Sequence, residues 1–128
     1  MGEFMKARAL VPDLVLASSA RRAQQTAERV CRRAGYEGPV RTLPGLYLAE
    51  PGAVLACLRG LGEDPERVMC VGHNPGLEEF ASTLAGRHER LPTAALAVFE
   101  LDIPAWNAAF QPGSVRRFEV FRVKELPS

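Results

Sequence analysis

Val68-Met69-Cys70-Val71-Gly72-His73-Asn74-Pro75-Gly76-Leu77 carries an apolar run through a Gly-His pair directly into a helix start. Continuous apolar residues between turn formers predict a buried strand over 67–72, of the kind found in parallel sheets. Pro75 suits a first helical turn with Asn74 as its cap. Leu77, Phe80, Ala81 and Leu84 then recur at helical spacing until Gly86. A strand-to-helix junction of this type delivers its imidazole, His73, to the carboxyl edge of a sheet, where α/β proteins place their chemistry.

Leu14-Val15-Leu16-Ala17-Ser18-Ser19-Ala20-Arg21-Arg22-Ala23 has the same layout and delivers arginine instead. Leu14 to Ala17 predicts a second buried strand, and Ser18 or Ser19 can cap the helix that follows. That helix buries Ala23, Ala27, Val30, Cys31 and Ala34, and Gly35 supplies its stop. An arginine and a histidine at matching strand ends point to an anion site, reinforced by the free N–H groups of the helix starts.

Outward from these two junctions the chain keeps alternating. Met1, Phe4, Met5 and Ala9 share one face of an opening helix that has no cap before it and that Pro12-Asp13 breaks. Val40 to Leu43 reads as a short strand. Pro51 starts a helix with the stripe Val54, Leu55, Leu58 and Leu61, ended by Gly62. Strand and helix in alternation predict right-handed parallel crossovers. Two strands are expected in the last third, over 94–101 and 117–124, joined by an irregular segment rich in Pro and Gly.

Bulk properties narrow the partners. A chain of 128 residues is the size of one domain. Sixteen basic against 15 acidic residues give no field that argues for nucleic acid or an anionic membrane. No apolar run approaches the roughly 18 residues of a membrane span, and no signal peptide is evident. Three cysteines without a CxxC pair fit neither a disulfide framework nor a zinc site, so a reducing cytoplasmic location is expected.

Arg22 lies in a first helical turn, where a guanidinium can grip phosphate oxygens with two parallel hydrogen bonds. Arg21 and His88 read as solvated surface charge and loop. Cys70 and His73, three apart, make a poor thiol–imidazole pair, and no Gly-x-Ser-x-Gly elbow surrounds Ser18 or Ser19. Two histidines without nearby ligands give a metal site little support.

The blocks Ser18-Ser19-Ala20-Arg21-Arg22-Ala23-Gln24-Gln25-Thr26-Ala27, Val71-Gly72-His73-Asn74-Pro75 and Leu91-Pro92-Thr93-Ala94-Ala95 resemble, in order, those of the SixA-like phosphohistidine phosphatases of the histidine phosphatase superfamily. The resemblance implies a three-layer α/β/α domain over 1–128, with a mostly parallel sheet and helices on both faces. It implies removal of phosphate from phosphohistidine in a protein, or from a small phosphomonoester, through a phosphorylated histidine and without metal or cofactor. Arg22 matches the family's second phosphate-binding arginine, and His73 its second histidine, which hydrogen-bonds the transferring group. Ser18 and Asn74 stand beside them as further phosphate ligands. For the leaving-group proton some relatives carry Asp where this chain has Asn74; Glu50 is an alternative donor, against the plainer reading of a solvated loop carboxylate.

The family's nucleophile stands in an Arg-His-Gly triplet on its first strand, and no such triplet occurs in these 128 residues. The expectation is therefore a shortened member lacking that central strand. Such a chain would associate through an exposed sheet edge, and would serve either as part of a phosphatase or as a non-catalytic phosphate-binding module.

Overall fold

In the computed structural model, residues 1–61, 65–91, 95–107 and 114–121 are described. Helix α1 (Gly2–Ala7) precedes strand β1 (Leu14–Ser18), helix α2 (Arg21–Ala34) and strand β2 (Val40–Leu43). A 3-10 turn (Pro44–Leu46) leads to helix α3 (Pro51–Arg59), strand β3 (Val68–Val71) and helix α4 (Gly76–Ala85). Strands β4 (Leu96–Leu101) and β5 (Val115–Phe121) close the order.

Strand β1 is the centre of a parallel sheet ordered β2-β1-β3, and every one of its residues is buried. Its pleat sorts the core into two layers, since alternate residues of a strand face opposite ways. Leu14 and Leu16 pack with Leu46, Val54, Leu58 and Leu84 under α3 and α4. Val15 and Ala17 pack with Ala27 and Cys31 of α2. Helices thus cover both faces, as the continuous apolar run of β1 requires. The chain is a mixed α/β fold with the parallel strands and flanking helices expected from its alternation.

A carboxylate sets the register at the amino ends of β1 and β3. Asp13 Oδ2 accepts the N–H groups of Glu66 and Arg67 at 2.9 and 3.0 Å, and Arg67 Nη1 donates to the Ala9 carbonyl at 2.6 Å. Leu14 is thereby placed opposite Val68 and Ala17 opposite Val71. Strands β4 and β5 form a separate antiparallel pair with an irregularity at Glu100/Leu101. Phe99, Leu101 and Val115 of that pair pack on the α3/α4 core, and Trp106 Nε1 donates to the Pro65 carbonyl at 2.6 Å.

Several expected boundaries move. The opening helix stops at Ala7, and Ala9 has a φ of 56°. Helix α3 ends at Arg59, before the last residue of its stripe, with Leu61 still packed on the core beyond it. The expected stop at Gly62 and strand residues 94 and 122–124 lie outside the described residues. Gly35 and Gly86 close α2 and α4 with φ of 72° and 73°, as their positions predict. Neither serine caps α2: Ser18 is the last residue of β1, and Ala20 takes the cap position. Helix α4 begins at Gly76, one residue later than expected, with Pro75 in the cap position.

Among the described residues no helix is long and apolar enough to cross a membrane.

Candidate phosphate site

Because β1 and β3 run parallel with Ala17 opposite Val71, their carboxyl ends finish side by side. Ser18 ends β1, and Gly72-His73 follow β3. Ser18 Oγ and His73 Nε2 meet at 2.7 Å, joining two residues 55 apart in sequence. The serine is 0% exposed, whereas the imidazole is half-buried at the rim.

Ser18 is held from three sides. Its hydroxyl accepts the Ala20 N–H at 3.2 Å, and its carbonyl accepts Gln24 Nε2 at 2.6 Å. Gln24 Oε1 accepts the Thr42 hydroxyl at 3.3 Å, so one side chain of α2 ties the ends of β1 and β2 together. The local reason is periodicity. Gln24 follows the buried Ala23 and is itself half-buried, which brings its amide back over the strand end.

On the other side of His73, the Tyr47 ring approaches edge-on, with centroids 5.6 Å apart at 66°. Tyr47 and Leu48 are 55% and 66% exposed, and Leu48 has a φ of 48°, an uncommon conformation for a branched residue. Beneath them a small depression is lined by Leu46, Ala49, Val71, Gly72, His73 and Leu77. Gly76 fixes this loop at close range, because a Cβ there would lie 1.8 Å from the Ala49 carbonyl oxygen.

Arg22 stands in the first turn of α2, four residues beyond Ser18, exposed and with no hydrogen bond or ion pair among the described residues. Its guanidinium is thus uncommitted among the described residues. Asn74 is engaged elsewhere: Nδ2 donates to the Leu91 carbonyl at 2.5 Å, and Oδ1 accepts the Glu78 N–H at 3.2 Å. Its capping part is met from one position before the cap. Glu50, in the cap position of α3, is exposed and makes no side-chain cap bond. His88 lines a different groove, with Pro51, Glu78, Glu79, Ser82 and Thr83.

Sequence reasoning set Arg22 and His73 at one edge with Ser18 beside them, but missed the Ser18–His73 hydrogen bond and passed over Gln24 and Tyr47. An exposed aromatic in a loop beside a strand end was the available sign for Tyr47. Nothing local marked Gln24. Cys70, packed against the core, has its thiol pushed up to about 12, first by burial and then by the neighbouring Cys57. A thiol that holds its proton this firmly is no nucleophile.

A parallel sheet with helices on both faces, and a serine and a histidine meeting at adjacent strand ends, place the chain in the α/β class. No family model matches the chain. The Mycobacterium tuberculosis protein Rv1276c is 30% identical over 123 residues, covering 88% of this chain and 74% of its own. Among solved structures, the protein histidine phosphatase SixA complexed with tungstate is similar at 25% identity and a TM-score of 0.67, over 79% of this chain and 67% of that one. The provisionally assigned SixA of Nakamurella multipartitia shares the fold at a TM-score of 0.75 and 20% identity, over 92% of this chain and 76% of that one. The chain has a SixA-like histidine phosphatase fold.

Proposed function

We propose that these residues form the phosphoryl-binding part of a phosphatase site that acts on phosphohistidine in a protein or on a small phosphomonoester. The observation that carries this reading is the Ser18–His73 contact, which anchors an imidazole at the strand edge from which α2 presents Arg22. A guanidinium grips phosphoryl oxygens, and an imidazole N–H adds a donor aimed at charge that grows during transfer. Such preorganised donors are the main contribution a protein makes to phosphoryl transfer. The tungstate complex of the similar SixA structure supports an oxyanion as the ligand.

Nucleophilic attack requires a histidine nitrogen free to bond phosphorus. His73 Nε2 is occupied by Ser18 and its other nitrogen serves in this reading as an N–H donor, which cannot attack, and His88 lies in another groove. Neither of the two histidines suits that role. Binding without turnover is therefore the expected behaviour of these 128 residues, which also favours the second reading, a phosphate-binding module of the same fold.

Isothermal calorimetry with phosphate and sulfate tests the site. Wild type should bind, and Arg22→Ala should weaken binding at least about tenfold, the loss expected for one charge-assisted pair. p-Nitrophenyl phosphate should not be hydrolysed. Turnover that disappears in His73→Ala would overturn the account of the missing nucleophile, and equal binding by wild type and Arg22→Ala would overturn the site.

A further inference from the structure

Among the described residues the hydroxyl hydrogen of Ser18 has one acceptor to go to. Ser18 is 0% exposed, and a hydroxyl removed from water needs a partner inside the protein. Among the described residues its oxygen has two hydrogen-bonding neighbours: the Ala20 N–H at 3.2 Å and His73 Nε2 at 2.7 Å. A backbone N–H only donates, so the hydroxyl accepts from Ala20, and among the described residues the imidazole is the one group able to take the hydroxyl hydrogen.

We propose that Ser18 is a positioning residue that holds His73 as the Nδ1–H tautomer, leaving that N–H as the donor presented to a phosphoryl oxygen. In neutral imidazole the nitrogen that accepts a hydrogen bond carries no proton, so the proton resides on the other. Nδ1 has no hydrogen-bond partner among the described residues, and it points away from Ser18 across the ring. The hydroxyl cannot drift, because Gln24 grips the Ser18 carbonyl at 2.6 Å and Ala20 grips Oγ. Support of this kind around a functional side chain is what keeps its geometry productive. The inference rests on the proposed role of His73 in anion binding and adds to it which nitrogen does the binding and what selects it.

Nitrogen-15 NMR of the imidazole rings in the full chain, at alkaline pH where the ring is neutral, reads the tautomer directly. Wild type should show a pyrrole-type Nδ1 and a pyridine-type Nε2 at His73, while Ser18→Ala should move the proton toward Nε2. Phosphate affinity by calorimetry should fall about tenfold in Ser18→Ala, the effect of one lost hydrogen bond, and return toward wild type in Ser18→Thr, which keeps a hydroxyl. The wild-type spectrum decides the tautomer even where both variants fail to fold. A proton on Nε2 in the wild type overturns the proposal, as does a Ser18→Ala variant with unchanged phosphate affinity. An Nδ1–H tautomer in a protein that binds no phosphate overturns the anion site and spares the tautomer assignment.

Discussion

Cys70 shows how one side chain ties stability to pH. Its thiol keeps its proton up to about 12 in the folded chain, against an ordinary value of 9.0, because the charged form is poorly solvated beside the core. Above pH 9 the unfolded chain therefore holds fewer protons than the folded one, and stability falls as pH rises toward 12; below that window this contribution is fully present. Burial raises Cys31 and Cys57 in the same direction, and Tyr36 as well. Urea denaturation of Cys70→Ala should show an unfolding free energy about 1 kcal/mol lower at neutral pH, from lost packing. Its decline above pH 9 should be shallower than that of wild type. An identical alkaline slope would mean that the thiol is solvated. The same packing explains why proximity to His73 in sequence did not make Cys70 chemically active.

Helix α4 shows how an element can be secured through its first turn. Asn74 and Glu78 strap the following loop down, with the Leu91 N–H donating to Glu78 Oε2 at 2.9 Å and the Leu91 carbonyl accepting from Asn74. Ser82 and Glu89 add a reciprocal pair at 3.0 and 3.2 Å. Asn74→Asp keeps an acceptor for the Glu78 N–H but sets a carboxylate against the Leu91 carbonyl. It should lower stability by about 1–2 kcal/mol in urea melts and raise amide hydrogen exchange near Leu91, with no gain in acid catalysis. Gly76→Ala belongs to the same element. With a Cβ 1.8 Å from a backbone oxygen, the Ala49–Glu50 segment must shift, at a cost of about 1–3 kcal/mol. Phosphate affinity should fall with it, because the loop carrying Tyr47 moves. Unfolding and calorimetry on one preparation check both.

The described residues form two sheets rather than one. Strand β1 is sealed on both sides by β2 and β3, but β3 pairs only with β1, and β4 only with β5, among the described residues. All four residues of β3 keep partial exposure although they are apolar. An apolar strand with an unpaired side is prone to pair with another chain. Sedimentation velocity across a hundredfold concentration range should therefore show association, and the thermal midpoint should depend on concentration. A sharp, concentration-independent transition of a monomer would argue that this edge is covered.

Much of this architecture was legible along the chain. Leu14 to Ala17 and Val68 to Val71 announce buried strands because a continuous apolar run is stable only with both faces covered. Gly35, Pro51 and Gly86 mark helix ends because of the backbone angles they permit or impose. The placement of Ser18 and His73 at one sheet edge follows from two strand-to-helix junctions of the same kind. Their hydrogen bond, the diversion of Asn74 to Leu91, the Gln24 tie and the division into two sheets were not legible. Local sequence encodes periodicity and chain breaks, which act over a few residues. A contact across 55 residues depends on the register in which two strands settle, and that register is chosen by the packing of the whole core.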